Sequence, residues 1–107
     1  MNTEQIERIS RMEQTLDTSS DAVSALASAM EQYQSILPSL QELTEYYSSP
    51  LWVADFEADE AGMLPADLKR GVLSEDAVYD LLCKHSQVIK ELKILLKSQT
   101  KKQSHHE

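Results

Sequence analysis

The sequence predicts an all-α protein, and three observations support that class. Only two of its 107 residues are glycine and three are proline, fewer than the tight turns of a β-rich domain require. Apolar residues recur with helical spacing over most of the chain. Serine, proline and glycine stand where such helices would begin and end. We therefore expect one helical domain that comprises residues 1–107.

The first helix is expected over residues 3–48, where a heptad pattern runs almost without interruption. The first position of each repeat is apolar, in Ile9, Leu16, Val23, Met30 and Leu37. The position three residues later is apolar in most repeats, which completes the pattern of a helix that packs on another helix.

Two places weaken this first helix. DTSSD at residues 17–21 is poor in helix formers, and Pro38 removes a backbone hydrogen-bond donor. The heptad pattern keeps its phase through both places, whereas a loop would usually shift it. We therefore expect one long helix with a weak point and a bend.

A short second helix is expected at residues 50–61 and a connector at residues 62–73; together we call them the corner. Ser49 is a natural N-cap, and Pro50 suits the first helical position. Gly62 fits the position that follows a helix C-terminus.

The last helix is expected over residues 74–100, with a polar tail at residues 101–107. Ser74 would be its N-cap. Glu75 and Asp76 would lie in the first turn, where negative charge complements the helix dipole.

These lengths predict how the helices pack. The long N-terminal helix should lie antiparallel on the C-terminal helix, and the corner should join them. The C-terminal helix is too short to cover the first, which leaves four apolar residues uncovered: Ile6, Ile9, Met12 and Leu16. We expect these to form the seam of a homodimer that completes a helical bundle. The alternative is a break at residues 17–21 that folds residues 3–16 back into a compact monomer.

Charge and composition exclude several classes of partner. The net charge of −8 argues against nucleic acid, whose phosphates favour a basic surface, and against anionic lipid. No apolar run is long enough to cross a bilayer, and no secretory signal is recognisable. The single cysteine, Cys83, cannot form an intramolecular disulfide. We expect a cytoplasmic protein with neither nucleic-acid nor membrane partners.

Two stretches carry a resemblance to a known family. They are WVADFEADEAGMLPADLKRGVLSEDAVYDLL at residues 52–82 and ERISRME at residues 7–13. Both resemble a family of small bacterial helical proteins known as a domain of unknown function. The resemblance implies a helical fold and a bacterial source, and it implies neither an activity nor a catalytic residue.

Acidic residues of the corner suggest a metal site as one interpretation. Asp55 and Asp59 share a helix face, and paired carboxylates can hold Mg²⁺. Lys69 and Arg70 could then bind a phosphate. An EF-hand loop is excluded because Gly62 would take its eighth position rather than its sixth. A solvated acidic face paired with the two basic residues explains the same pattern.

Histidine and cysteine suggest no further site. His85 lies on an apolar face and fits a hydrogen-bonded position in the core or at the edge of the seam; a pH-responsive group is the alternative. His105 and His106 are adjacent in the tail, without the third protein ligand that Zn²⁺ needs. Cys83 has no histidine–acid pair to activate it. We therefore assign no catalytic residue, no metal and no cofactor.

Two functions are consistent with these features. The first is a non-enzymatic protein–protein interaction or assembly module that binds a second copy of itself or another protein. The alternative is a metal-dependent hydrolase of nucleotides or other small phosphorylated molecules. The candidate interaction surface lies in and beside the corner and comprises Trp52, Asp55, Asp59, Lys69, Arg70, Ser74, Glu75 and Asp76.

Overall fold

A computed structural model describes residues 2–104 of the chain, with side chains through residue 100. Helix α1 spans Thr3–Tyr47, α2 spans Pro50–Glu60 and α3 spans Ala77–Ser104, and a 3₁₀ turn spans Gly71–Leu73. No strand occurs among these described residues. The predicted all-α class, with a long N-terminal helix and a C-terminal helix, is confirmed.

The predicted polar tail is only partly described. Residues 101–104 continue α3, whereas residues 105–107, which include His105 and His106, lie outside the described part of the chain. Nowhere in residues 2–104 is a helix both long and apolar enough to cross a membrane.

Contacts within the chain divide it into two units, Met1–Gln41 and Glu42–Glu107. The first contains most of α1. The second contains the end of α1, the corner and α3. The predicted antiparallel packing of α1 on α3 and the predicted dimer both stay predictions.

Helix α1 is continuous over 45 residues, or about 68 Å at 1.5 Å per residue. One short polar side chain bonds to the helix backbone at the weak point: the Thr18 hydroxyl donates to the Gln14 carbonyl at 2.9 Å. Pro38 also lies inside the helix. The alternative in which residues 3–16 fold back is therefore wrong, because the helix does not break at residues 17–21.

The N-terminal part of α1 exposes its apolar residues. Every residue from 2 to 32 is exposed. The four residues of the candidate dimer seam keep 48–61% of their surface exposed: Ile6, Ile9, Met12 and Leu16.

Local signals fix both ends of α2. The Ser49 hydroxyl accepts a hydrogen bond from the Trp52 amide at 3.4 Å, and Pro50 opens the helix. At the other end, Gly62 has a φ of 70° and its amide donates to the Asp59 carbonyl. The Met63 amide donates to the Ala58 carbonyl. These two bonds, around a left-handed glycine, form a Schellman motif.

The entry to α3 combines the 3₁₀ turn with a side-chain cap. The Ser74 amide donates to the Gly71 carbonyl at 3.1 Å, which closes the turn. The Ser74 hydroxyl then accepts from the Ala77 amide at 3.1 Å, the bond expected of an N-cap. Leu73 and Val78, on either side, are buried, at 6% and 3% exposure. These are the positions that a hydrophobic staple joins.

Candidate functional site

Trp52 is the centre of an aromatic cluster at the start of α2. Its ring meets Tyr47 edge-on at a centroid distance of 5.3 Å and stacks on Phe56 at 5.2 Å. Its indole N–H donates to the Val72 carbonyl at 2.9 Å. The half-buried Trp52 therefore links the end of α1, the start of α2 and the 3₁₀ turn.

A second link joins α1 to α2 through Asp55. The Tyr46 hydroxyl donates to a carboxylate oxygen of Asp55 at 2.6 Å. This bond favours the neutral phenol and so raises the pKa of Tyr46, with smaller contributions from desolvation and the negative charge of Asp55. Ser49 completes the turn between the helices, since its hydroxyl donates to the Tyr46 carbonyl at 2.7 Å.

Arg70 ties the connector to the end of α2. Its guanidinium bonds to Asp59 at 2.5 Å and to the Pro65 carbonyl at 2.6 Å. The side chains of Arg70 and Asp59 keep 31% and 24% of their surface exposed. Solvent therefore screens the pair, and its contribution to stability is modest. Its geometric effect is to close the connector between Gly62 and Gly71 onto α2.

The remaining members of the candidate interaction surface differ from these. Ser74 uses its hydroxyl as a cap. Lys69, Glu75 and Asp76 are exposed, and their side chains make no hydrogen bond or ion pair with the described residues. The candidate surface therefore divides into two groups. Its bonded members contact other residues of the chain, namely Trp52, Asp55, Asp59, Arg70 and Ser74. Its other three members, Lys69, Glu75 and Asp76, lie at the surface.

The two aspartates proposed for a metal site have separate roles. Asp55 accepts from a phenol, and Asp59 pairs with a guanidinium. Within residues 2–104, no three histidine, cysteine, aspartate or glutamate side chains come close enough to share a metal ion. In this geometry the carboxylates act as hydrogen-bond acceptors that hold the corner together.

Helix α3 places Tyr79 and Cys83 one turn apart on an exposed face. A hydrogen bond with Cys83 is the main cause that raises the pKa of Tyr79. His85, on the same helix, is half-buried. Tyr79 and Cys83 by themselves do not supply the nucleophile, base and orienting acid that covalent catalysis requires.

The comparisons with known proteins establish a family. The model of the family described as "domain of unknown function (DUF4298)" matches residues 9–94, which include most of α1, the corner and about the first five turns of α3. The chain belongs to this family. The predicted membership of a family of small domains of unknown function is therefore confirmed, and the match covers most of the chain. No curated protein matches the chain.

Three groups that form hydrogen bonds in or to the corner of this DUF4298 member were not predicted from the sequence. They are the Tyr46 hydroxyl and the carbonyl oxygens of Pro65 and Val72. The only sequence signal for the first was an aromatic pair, Tyr46 and Tyr47, directly before the predicted cap at Ser49. The two carbonyls have no sequence signal, because every residue carries one.

Proposed function

We propose that this chain is a protein–protein interaction module without enzymatic activity, which binds another helix through the N-terminal half of α1. One observation carries the proposal: a line of large apolar side chains that keep 48–66% of their surface exposed. We call it the N-terminal seam; its members are Ile6, Ile9, Met12, Leu16, Val23, Leu26 and Met30.

The physical argument is that such a line is costly when nothing covers it. Side chains at heptad spacing lie along one side of a helix, so these residues share one face, with a single polar position at Ser19 between Leu16 and Val23. Continuous apolar patches mark surfaces that bind other molecules. Covering a half-exposed aliphatic side chain contributes about 1 kcal/mol. An isolated helix, by contrast, gains little stability from its backbone bonds alone.

The N-terminal seam also fits a known mode of recognition. Amphipathic helices bind other helices through apolar residues spaced three and four apart, and the spacing from Ile9 to Met12 and Leu16 has that form. The opposite side of this stretch carries polar residues such as Gln14 and Ser28. A helical partner is therefore a better match to the seam than a small molecule.

In this proposal the corner is a structural element, stabilised by bonds between its own residues and those beside it. Asp55 and Asp59 are bonded to Tyr46 and Arg70, so the acidic residues do not favour the hydrolase alternative. The proposal includes a cytoplasmic location, which is supported by the single cysteine, Cys83.

In the experiment, the chain of residues 1–107 is tagged and purified from its native host, and the proteins that co-purify with each variant are compared. The test variant is L16A/L26A, which truncates two members of the N-terminal seam. The matched control is Q14A/S28A, on the opposite side of the helix. All four substitutions introduce alanine, the best helix former, so none of them disfavours the helix through its own backbone propensity.

We expect wild type and control to retain the same protein, either an untagged copy of the chain or another protein. The test variant should retain at least tenfold less of it, since covering each of the two leucines contributes about 1 kcal/mol and about 1.4 kcal/mol is a tenfold change in affinity. Identical retention by all three chains would contradict the proposal.

A further inference from the structure

We propose that the helix that covers the N-terminal seam belongs to a second copy of this chain, parallel to the first and in register with it. This inference rests on the proposed function, because the same residues form the interface. It adds the identity and the direction of the partner.

The residues that flank the seam carry the argument. We call the first position of each heptad repeat, such as Ile9, the first seam position, and the position three residues later, such as Met12, the second seam position. In a pair of packed helices, the residue before each first seam position and the residue after each second seam position lie at the edge of the interface. Over residues 2–32 these edge positions are Ile6, which also belongs to the N-terminal seam, and Arg8, Glu13, Thr15, Ser20, Ala22, Ala27 and Ala29. Arg8 and Glu13 are the only charged residues among them, and both are exposed.

The spacing of Arg8 and Glu13 selects a parallel pair. In parallel helices in register, a residue before a first seam position meets the edge residue five positions later on the other copy. Arg8 therefore meets Glu13 of the second copy, and symmetry makes the same ion pair twice. The interface is closed, since each copy presents the same patch.

An antiparallel pair gives neither ion pair. There, edge residues of the same kind face each other. Arg8 would face one of Thr15, Ala22, Ala29 or the other Arg8, and none of these is acidic. Glu13 would likewise meet no basic residue at any register.

The rest of this stretch agrees with a parallel pair. Two of the four first positions between residues 9 and 30 hold β-branched residues, Ile9 and Val23, and Leu26 holds one second position; these three residues are of the kind that favours parallel two-stranded packing, whereas Leu16, Met30, Met12 and Ser19 at the other positions do not select a direction. The other charged residues occupy positions on the outer side: Glu4, Glu7, Arg11, Asp17, Asp21 and Glu31. The acidic surplus therefore stays in solvent when two copies associate.

The first test uses disulfide formation to read direction and register. Cys83, which is exposed, is replaced by serine, and one cysteine is introduced as Gln5→Cys or Ser19→Cys. Both sites are second seam positions, so each meets its own copy in a parallel pair in register. The control is Gln14→Cys on the outer side. Each protein is equilibrated in a glutathione redox buffer, so that only stable neighbours remain linked.

We expect both seam variants to form mainly covalent dimers and the control to stay unlinked. In an antiparallel pair, at most one of the two introduced cysteines can meet its own copy. A covalent dimer of only one of the two seam variants would therefore overturn the inference. The inference would also be overturned if the chain is monomeric by light scattering and neither seam variant forms a covalent dimer. The retention experiment with L16A/L26A then decides independently whether the seam binds a different protein and the proposed function holds.

The second test measures the ion pair itself by sedimentation equilibrium at low salt. Arg8→Glu turns two attractive pairs into two repulsive ones and should weaken the dimer about tenfold. R8E/E13R restores opposite charges across the interface and should recover most of the loss. Equal dissociation constants for the single and double variants would rule out the parallel register, because only that register joins the two residues.

Discussion

The two units of the chain use their side chains in opposite ways. In and beside the corner, side chains bond to other elements, as Trp52 does to Val72 and Arg70 to Asp59. In residues 2–32, every residue is exposed, and a polar side chain such as Thr18 bonds only to its own helix. The comparison shows that the side chains of the corner bond to one another, whereas the apolar side chains of the N-terminal seam stay exposed.

The largest effect should come from removing the centre of the corner. Trp52→Ala deletes the ring that meets Tyr47 and Phe56 and the donor to Val72. We expect a loss of about 2 kcal/mol in the free energy of unfolding, below the 3–5 kcal/mol of a fully buried ring, because Trp52 is half-buried. Urea unfolding followed by circular dichroism measures it.

The neighbour Leu51 provides the control for this variant. Its side chain is 68% exposed, so Leu51→Ala should change the free energy of unfolding by less than about 0.5 kcal/mol. Equal losses for the two variants would show that the aromatic cluster does not hold the corner.

The two glycines should differ in the next largest effect. Gly62 has a φ of 70°, where any Cβ is strained, so Gly62→Ala should cost about 1–2 kcal/mol. A Cβ at Gly71 would meet no atom within 4 Å, and Gly71→Ala should change stability by less than about 0.5 kcal/mol. Thermal unfolding of both variants compares them, and a reversed order would contradict the cap assigned to α2.

Removing the Arg70 side chain should have a smaller effect. Arg70→Ala deletes the bonds to Asp59 and to the Pro65 carbonyl. We expect a loss of about 1 kcal/mol, since partial exposure screens the ion pair, and part of that loss should disappear in 1 M salt. The exposed neighbour Lys69 is the control, and Lys69→Ala should be nearly neutral. A salt-independent loss would assign the effect to packing of the side chain instead.

The smallest effect concerns pH. The bond to Asp55 raises the pKa of Tyr46 above its ordinary value of 10.0. Because the neutral phenol is favoured in the folded chain, this stabilisation is present below pH 10 and is lost as pH rises through the raised pKa. The difference in phenolate absorbance between wild type and Tyr46→Phe isolates this titration. Asp55→Ala should lower its midpoint, and an unchanged midpoint would contradict the role of the carboxylate.

Local chemistry explains why parts of this fold were predictable from sequence. Ser49, Pro50 and Gly62 act on their immediate neighbours, and the structure places each at the helix end that its chemistry indicated. Ser74 was partly predictable in the same way. Its hydroxyl caps the backbone as expected, yet α3 begins at Ala77, where the Asp80 amide donates to the Asp76 carbonyl at 2.8 Å.

The bonds between elements could not be predicted in this way. Trp52 and Val72 lie 20 residues apart, and Tyr46 and Asp55 lie nine apart. Helical periodicity states which side chains share a face, but it does not state which group that face meets. For the same reason, the spacing of the aspartates suggested a shared metal, whereas the fold gives Asp59 a partner of its own in Arg70.

Trp52 also gives the molecule an internal optical reporter. It is the only tryptophan in the chain, and its surroundings are Tyr47, Phe56 and the Val72 carbonyl. Its fluorescence therefore responds to the corner, while residues 2–32 contribute no tryptophan emission. Association through the N-terminal seam should leave the emission spectrum unchanged, and opening of the corner should shift it to longer wavelength, so the two events can be followed separately in one sample.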